Sequence, residues 1–280
     1  MNGPGAGRSR PPLRLKVKAA VTAVAAVLVA AWFLAPLLLI TVSAFAEPDE
    51  YYKVDRLIPT RFTLRQFDDL FFKLEAWKAI VASVKVAAMA IVLSFALGLP
   101  AAYALSRYAF RGRSFLRLLI LATRMFPMMV LVIPLVTLFL RIGASDTAWG
   151  IALVHATMVL PMVILVSSSI LAGVSVEYEE AAMIFGLSRP AAFFRITLPL
   201  ALPGLAASAI LAFIHSWNEV FVASILSLTN RTLPAHILRT AMTSPDSFKF
   251  TAGFIMAVPA LVFIFFVRKH LITMWGISLK

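Results

Sequence analysis

A few polar and aromatic residues lie inside otherwise apolar sequence and have side chains that can bind a polar solute. The middle of one apolar run contains His215, Trp217, Asn218 and Glu219. Sugars bind to aromatic faces combined with hydrogen-bonding groups, so this cluster suits a carbohydrate cavity. Hydrogen bonding between helices accounts for the cluster equally well, with Glu219 meeting Arg124 or a partner subunit. The sequence leaves both interpretations open.

Ionisable residues in the other apolar runs also have two interpretations. Arg124 lies about seven residues into its run, and an ionisable residue at such a depth is a candidate for a solute pathway. Its side chain is also long enough to reach the headgroup region of a membrane or to form a structural ion pair. His155 and Lys85 are interpreted as structural or interfacial residues.

A charged segment at 174–203 separates two apolar runs and indicates contact with a protein partner. Ser175 can cap a helix whose first turns are acidic, an arrangement that favours the helix dipole. An anionic lipid surface repels carboxylates, so a protein surface is the better partner for this helix. The acidic residues are Glu177, Glu179 and Glu180.

The same segment contains signals that divide it into two short helices. Gly186 is expected to end the first helix, because glycine adopts the left-handed conformation found at helix C-termini. Ser188 and Pro190 can open a second short helix at 191–196. Two prolines are expected to end this second helix: Pro199 and Pro203.

Residue types that the sequence lacks exclude several classes of protein. The absence of cysteine excludes disulfides, thiolate metal sites and a cysteine nucleophile. The absence of a Gly-Lys dipeptide excludes a phosphate-binding P-loop, so this chain cannot bind ATP through such a loop. Neither a metal-binding His and Glu constellation nor a paired Ser and His is recognisable, and we do not predict an enzyme. The net charge of +13 comes without the stacking aromatic residues of a nucleic-acid surface.

The apolar runs are long enough to cross a membrane as helices. Hydrophobic residues make up 61% of the 280 residues and charged residues only 14%, which is typical of an integral membrane protein. About 20 apolar residues in a helix cross a hydrocarbon core of roughly 30 Å. We therefore predict an all-α polytopic membrane protein with a basic leader at 1–18 and one transmembrane domain at 19–280. The six predicted spans lie at about 19–45, 79–106, 117–140, 149–173, 204–228 and 252–272.

Prolines inside the predicted spans indicate kinked helices around a cavity. A proline frees a backbone carbonyl, which lipid tolerates only where a neighbouring helix or water satisfies that carbonyl. Simple packing explains any one of these prolines, but five together favour a bundle with a cavity. They are Pro100, Pro127, Pro134, Pro161 and Pro259.

The distribution of basic residues predicts the orientation of the chain. Fourteen of the 26 lysines and arginines lie in the leader, in the short stretch 107–117, in the segment 174–203 and after residue 267. Lysine and arginine in short loops mark the cytoplasmic side of a membrane protein. Both termini and the segment 174–203 are therefore expected to face the cytoplasm.

The segment 174–203 resembles the EAA loop of the membrane subunits of binding-protein-dependent ABC importers. Glu180-Ala181-Ala182 is followed after three residues by Gly186 and, nine residues later, by Ile196-Thr197-Leu198-Pro199, which fits that loop without a gap. The stretches 99–107, 125–127 and 217–219 are similar to the sugar branch, in particular to the six-span permease of maltose-type importers. The tail at 273–280 departs from that branch, which leaves open whether the tail contacts an ATPase.

The resemblance implies an importer of type I, in which the segment 174–203, called the coupling loop below, receives motion from ATPase subunits. In the family, two such subunits bind ATP and Mg²⁺, and a groove in each holds the coupling loop of one permease. A second permease subunit and an extracytoplasmic solute-binding protein complete the assembly in a bacterial or archaeal cytoplasmic membrane. The implied coupling residues are Glu179, Glu180, Ala181, Ala182, Gly186, Ile196, Leu198 and Pro199.

The resemblance also implies a role for the outer loop at 229–251, which in related importers reaches into the binding protein. The candidate contacts there are His236, Arg239 and Asp246, and a solvated connector is the alternative.

The substrate implied by the resemblance is a carbohydrate or polyol, and two alternatives remain. Glycerol 3-phosphate or another small anionic polyol would use Arg124 as a partner for its phosphate. An ion-driven secondary transporter would use Glu219 to carry a proton and would need no ATPase.

Overall fold

The computed structural model describes residues 13–51 and 58–274. Helices account for the regular secondary structure of these residues, apart from one isolated antiparallel bridge between Ala46 and Phe62. The all-α prediction is therefore confirmed. Most of the predicted basic leader and the tail at 275–280 lie outside the described residues.

Thirteen α-helices are present in the described part of the chain. They are α1 (Leu13–Ala44), α2 (Pro48–Tyr51), α3 (Arg65–Asp68), α4 (Ala76–Arg107), α5 (Arg113–Ala122), α6 (Met128–Arg141), α7 (Ala148–Ala172), α8 (Glu177–Ile184), α9 (Arg189–Ala192), α10 (Leu198–Trp217), α11 (Phe221–Leu226), α12 (Leu233–Ala241) and α13 (Asp246–Met274). Two π-helical turns, Asp69–Lys73 and Phe193–Thr197, and one 3₁₀ turn, Thr123–Met125, join neighbouring helices.

Four helices of the described chain are long and apolar enough to cross a membrane, and a bent pair makes a possible fifth span. The four are Ala20–Ala44, Ala76–Arg107, Ala148–Ala172 and Arg189–Trp217. Helix α13 has 29 residues and contains the predicted sixth span, 252–272. A multi-pass helical membrane protein is thus confirmed, and the total of six spans stays a prediction.

The predicted third span, 117–140, is divided into two helices. The stretch Arg113–Met125, which comprises α5 and the 3₁₀ turn, meets the stretch Val130–Arg141 of α6 at an angle of 87°, and the break between them lies at 126–129. Phe126 has an extended backbone, as expected for a residue before proline, and Pro127 caps α6. The sharp bend therefore has its cause in Pro127, one of the prolines that predict kinks.

The prediction that Pro199 and Pro203 end the second helix of the coupling loop is wrong. One helical stretch continues from Arg189 to Trp217, through the π-turn Phe193–Thr197. Pro199 follows the π-turn closely, and a local π adjustment satisfies the backbone groups that a proline frees in a membrane helix. Pro203 removes only one further hydrogen bond from a long helix, and a helix in apolar surroundings has no better alternative for its backbone.

The chain divides into two compact units, of which the larger comprises 67–246 and 255–280. Its centre is formed by α4, α7 and α10. Small residues allow close approach of these helices: a Cβ added to Gly98 would lie 3.1 Å from Cγ1 of Val163, and one added to Gly204 only 2.7 Å from Cγ2 of Ile170. The buried face of α4 is also made of small residues, including Ala87, Ala90, Ser94 and Ala102.

Among the described residues, the smaller unit comprises 13–51, 58–66 and 247–254. The Nε2 of Gln66 donates to the carbonyl of Ala46 at 2.7 Å. The hydroxyl of Thr251 donates to the carbonyl of Ala44 at 2.9 Å. The carboxylate of Glu50 is buried and accepts from the backbone N–H and the hydroxyl of Thr60, both at 2.9 Å. These bonds fix the end of α1, whose exposed residues are largely apolar, as expected for a helix in lipid.

Candidate functional site

The first helix of the coupling loop, α8, ends at Gly186 as the sequence predicts. Gly186 has a φ of +89°, in the left-handed region that glycine adopts without strain. Its N–H donates to the carbonyl of Met183 at 3.0 Å, and the N–H of Leu187 donates to that of Ala182 at 3.1 Å. This pair of bonds is the Schellman arrangement, which satisfies the last carbonyls of α8 and turns the chain sharply.

The second helix of the coupling loop begins at Ser188 as predicted. Ser188 has an extended backbone and its carbonyl accepts the N–H of Ala192 at 2.8 Å, with Pro190 in the first turn. At the start of α8, the hydroxyl of Ser175 accepts the N–H of Glu177 across 3.4 Å, so the predicted cap is a long contact. The two helices and the glycine elbow therefore match the expectation, except at the proline end.

A buried carboxylate ties the coupling loop to the end of α4. One oxygen of Glu179 accepts from Arg107 Nε at 2.8 Å and from the hydroxyl of Thr197 at 2.5 Å, and the other accepts from the hydroxyl of Tyr103 at 2.7 Å. The side chains of Arg107 and Glu179 are each 3% exposed. A second guanidinium nitrogen of Arg107 donates to the carbonyl of Val174 at 2.9 Å. We call Tyr103, Arg107, Glu179 and Thr197 the Glu179 joint.

The joint keeps its carboxylate charged. Burial alone would raise the pKa of Glu179, but the hydrogen bonds from Thr197, Tyr103 and Arg107 and the charge of Arg107 lower it overall. Three elements meet at this group: the end of α4, the first turn of α8 and the π-turn. Short polar contacts therefore connect α8 directly to the end of α4 and to the π-turn that precedes α10.

The outcome for Glu179 corrects the expectation that all three carboxylates of α8 face a partner. Glu179 is 2% exposed and its partners lie within the chain, whereas Glu177 and Glu180 are exposed. Sequence reasoning assigned Arg107 only to topology, and it gave no role to Tyr103. The available signal was their spacing of four residues, which places both on one face at the end of α4.

The outer surface of the coupling loop is apolar at its elbow. Ile184 is 85% exposed and Phe185 is 88% exposed, on a segment outside the membrane spans. Large apolar side chains exposed together on such a segment indicate a surface that another protein covers. The coupling candidates divide accordingly: Glu180, Ala181, Gly186 and Pro199 are exposed, Ile196 and Leu198 are half-buried, and Ala182 is buried beside Glu179.

A polar cavity of about 380 Å³ lies beside the bend between α5 and α6. Arg124 and His215, two of the candidate pathway residues, both line it. Two hydroxyls and four apolar side chains complete the wall, and a few convergent polar groups among apolar ones are typical of a solute site. The remaining lining residues are Thr123, Phe126, Leu131, Thr157, Met158 and Pro161.

Trp217 and Asn218 are not among the residues that line this cavity. Trp217 is 2% exposed, stacks on Phe213 with ring centroids 5.6 Å apart and donates its indole N–H to the carbonyl of Met256 at 3.1 Å. Asn218 is exposed at the end of α10. In this structure, the indole of Trp217 packs α10 against α13 instead of offering a sugar-binding face.

Glu219 forms an internal cap with His155. Its oxygens accept the N–H groups of Val222 and Ala223 at 2.8 and 3.1 Å, at the start of α11. His155 Nε2 lies 3.1 Å from the same carboxylate, and its Nδ1 lies 2.8 Å from the hydroxyl of Ser216. The sequence offered Arg124 or a partner subunit as the partner of Glu219, and the structure instead pairs Glu219 with His155.

The outer loop has one buried and one exposed side. Helix α12 buries Leu233 and Ala235, and the N–H of Leu233 donates to the hydroxyl of Ser83 on α4 at 2.7 Å. Of the candidate contacts, Arg239 and Asp246 are exposed, and His236 is half-buried. Two of the three predicted side chains are therefore accessible on the surface of this loop.

A group of hydrogen bonds at the start of the outer loop was not predicted from the sequence. Asp146 accepts the hydroxyl of Ser227 and the N–H groups of Leu228 and Thr229, each at 2.9 Å, and the N–H of Asn230 at 3.1 Å. The hydroxyl of Thr229 makes a further short hydrogen bond to the same carboxylate. Asp146 thus fixes the start of the outer loop, which we call the Asp146 clamp. Its partners are 81 to 84 residues away, so local sequence gave no signal.

Comparison with known proteins identifies the family. Residues 94–273 match the family described as binding-protein-dependent transport system inner membrane component. The chain belongs to this family. The trehalose transport system permease protein of Mycobacterium tuberculosis (strain CDC 1551 / Oshkosh) is 31% identical to this transport component over 261 residues, which cover 91% of this chain and 95% of that protein. The diacetylchitobiose uptake system permease protein DasC of Streptomyces coelicolor (strain ATCC BAA-471 / A3(2) / M145) is 29% identical, with coverage of 75% and 78%.

A solved structure confirms the fold of this transport component. The chain superposes on a bacterial ABC transporter involved in the import of the acidic polysaccharide alginate with a TM-score of 0.73. The superposition covers 95% of this chain and 99% of the other, at 21% identity. The predicted permease bundle is therefore the observed fold.

The Asp146 clamp of this transport component gives the first testable prediction. Replacing Asp146 with alanine removes the acceptor of several bonds at once, so the outer loop should open more often. We expect trypsin to cleave after Arg231 about ten times faster. This factor corresponds to a loss of about 1.4 kcal/mol in the free energy of opening the loop. Ser227→Ala removes one donor only and should cause a smaller increase. An unchanged cleavage rate in Asp146→Ala would contradict the clamp.

The clamp is also expected to resist acid. Burial alone would raise the pKa of Asp146, but hydrogen bonds from Thr229, Asn230 and Ser227 lower it well below its usual value. The stabilisation is therefore complete above the unfolded pKa of about 3.9 and is lost only as the pH falls through the lower folded pKa. The protection factors of the outer-loop amides, which correct hydrogen exchange for its intrinsic dependence on pH, should fall only under strongly acidic conditions.

Proposed function

We propose that this chain is one of two different transmembrane subunits of an ATP-driven ABC importer for a carbohydrate or polyol. The observation that carries the proposal is the coupling loop: two short helices with an exposed apolar elbow, tied by the buried Glu179 to the end of α4. Such a loop can receive a force from another protein and pass it into the membrane helices. Family membership supports the same conclusion.

The substrate class is supported by the relatives and by the cavity. The named relatives transport trehalose and diacetylchitobiose, both carbohydrates. The cavity beside α5 and α6 offers a guanidinium, an imidazole and two hydroxyls among apolar side chains, which suits hydrogen bonding to sugar hydroxyls. Glycerol 3-phosphate or another anionic polyol is the second candidate, because Arg124 in this cavity could bind a phosphate group.

ATP binding is assigned to separate subunits. The sequence has no Gly-Lys dipeptide, so two ATPase subunits would bind ATP and Mg²⁺ and would hold the coupling loops of this chain and of a second permease. A solute-binding protein would deliver the substrate at the outer loop. Both termini and the coupling loop would then face the cytoplasm, as the basic residues predict.

The continuity of the helical stretch from Arg189 to Trp217 suggests how movement reaches the cavity. His215 lies near one end of this stretch and the π-turn of the coupling loop near the other. A rigid helix passes a tilt at one end to its other end. ATPase closure would therefore move His215 relative to Arg124, which lies on the other side of the cavity on the α5–α6 bend.

The test of the proposal is reconstitution. The chain should be purified with its partner permease, ATPase subunits and binding protein and placed in proteoliposomes with radiolabelled trehalose, other disaccharides or glycerol 3-phosphate. Uptake should require ATP on the coupling-loop side and the binding protein on the other side. Uptake by this chain alone, driven by a proton gradient without ATPase subunits, would establish the secondary-transporter alternative and remove the proposal.

The cavity gives a second prediction. Arg124→Ala and His215→Ala should each raise the half-saturation constant for uptake roughly tenfold, because each removes a hydrogen-bonding partner of a desolvated solute. Trp217→Ala is the contrasting variant. It should lower the free energy of unfolding by about 3–5 kcal/mol, because core packing is lost. Wild-type half-saturation constants in both cavity variants would show that the solute passes elsewhere.

A further inference from the structure

A second cavity, of about 440 Å³, lies where α4 ends and α9 begins. Aromatic and aliphatic side chains form most of its wall, and the guanidinium of Arg189 lies at its edge, 5.6 Å from the centre of the Tyr108 ring. The other lining residues are Phe95, Ala96, Leu99, Pro100, Tyr103, Pro190, Phe193 and Phe194. This wall has few groups that could bind a sugar, so the cavity is not a second solute site.

The position of the cavity places it at a membrane surface. Arg107 is the last residue of α4, and Arg189 is the first residue of the helical stretch that continues to Trp217; both of these helices are long enough to span. Their ends therefore lie near the headgroup region, whichever side of the membrane that is. Ala96 and Pro100 are exposed on α4, so the apolar part of the cavity opens sideways from the bundle.

In the described part of the chain, the charge of Arg189 at the edge of the cavity is not paired with a carboxylate. Among the described residues, no carboxylate lies within ion-pair distance of Arg189. The neighbouring Tyr108 ring offers a cation–π contact that holds the guanidinium without neutralising it. An arginine held beside an apolar cavity at a membrane surface matches a molecule with a negative headgroup and an apolar tail.

We propose that this cavity binds one anionic phospholipid, with an acyl chain against Phe95, Leu99 and Phe193 and the phosphate on Arg189. The proposal rests on the chain being a membrane component and not on its substrate. Two residues that line the cavity also belong to the Glu179 joint or to the adjoining π-turn. Tyr103 donates to Glu179, and Phe193, whose ring centroid is 4.9 Å from that of Tyr103, opens the π-turn that contains Thr197. A lipid bound here would contact the Glu179 joint directly.

The test uses the assembled importer in nanodiscs of phosphatidylethanolamine with a small fraction of a photoreactive phosphatidylglycerol that carries a diazirine in its acyl chain. After illumination, mass spectrometry should find lipid adducts on residues 95–100 and 193–194. The matched experiment places the diazirine in phosphatidylethanolamine instead. Equal labelling by both lipids would overturn the proposal, because it would show no selection by the headgroup.

Two substitutions separate the site from general surface charge. Arg189→Gln should lower the adduct yield about fivefold, the factor that one arginine near an anionic surface contributes. Arg195 is an exposed arginine of the neighbouring π-turn and does not line the cavity. Arg195→Gln should therefore leave the adduct yield within about twofold of wild type. Ala96→Trp fills the apolar part and should also lower the yield. Equal losses in Arg189→Gln and Arg195→Gln, or cross-linking of residues 95–100 to the second permease in place of lipid, would overturn the proposal.

Discussion

Replacement of Glu179 with alanine is expected to abolish ATP-driven uptake by the assembled importer. The side chains of Glu179 and Arg107 are each only 3% exposed, so the substitution would leave the charge of Arg107 buried without a carboxylate, with its bond to the carbonyl of Val174 as the remaining contact. Breaking such a pair from one side typically costs about 3–5 kcal/mol. The chain can avoid this cost by releasing α8 from the end of α4. A released coupling loop could still bind an ATPase but would no longer move the membrane helices.

The measurement is uptake and ATP hydrolysis by the same preparation of the complex. Glu179→Ala should retain its ATPase subunits, lose uptake and hydrolyse ATP at a rate that no longer responds to the loaded binding protein. Glu177→Ala, a substitution of an exposed carboxylate on the same helix, is the matched control and should stay close to wild type. Thr197→Val removes one donor of the joint and should show a partial loss. Full coupling in Glu179→Ala would show that α8 transmits force by another route.

The coupling loop could be predicted from sequence because its determinants are local. The N–H of Gly186 donates to a carbonyl three positions earlier and the N–H of Leu187 to one five positions earlier, which ends α8. The carbonyl of Ser188 accepts the N–H of Ala192, four positions later, where the next helix begins. Such contacts leave a pattern in a short stretch of sequence. The failure at Pro199 has a different origin: whether a proline ends a helix depends on the surroundings of the backbone, and the apolar surroundings here favour continuation.

The polar contacts between distant segments could not be predicted in this way. Glu219 meets His155, which lies 64 residues earlier, and Asp146 meets residues more than 80 positions later. A carboxylate in an apolar run signals only that a partner exists, since an unpaired charge there is too costly. The identity of the partner depends on how the helices are arranged. For this reason the sequence identified Glu219 as a residue that needs a polar partner, but it offered Arg124 or a partner subunit and did not consider His155.

Replacement of Gly186 with proline is expected to abolish substrate-stimulated ATP hydrolysis. Gly186 has a φ of +89°, whereas the ring of proline holds φ near −65°, so the elbow cannot keep its shape. Proline also removes the N–H that donates to the carbonyl of Met183. The exposed Ile184 and Phe185 immediately before the elbow would then point in a new direction relative to the second helix, and the surface offered to an ATPase would be lost.

Control substitutions at Gly186 are informative because the space around it has room for a side chain. A Cβ added at this position would have no atom within 4 Å, so side-chain size is not the obstacle. Gly186→Asn should be close to wild type because asparagine tolerates the left-handed conformation, and Gly186→Ala should lose about 1–2 kcal/mol of local stability. Coupled ATP hydrolysis should therefore decrease in the order glycine, asparagine, alanine, proline. Equal activity of the proline and asparagine variants would mean that the backbone angle at the elbow does not control coupling, and the force would have to enter through Glu180 or Pro199 instead.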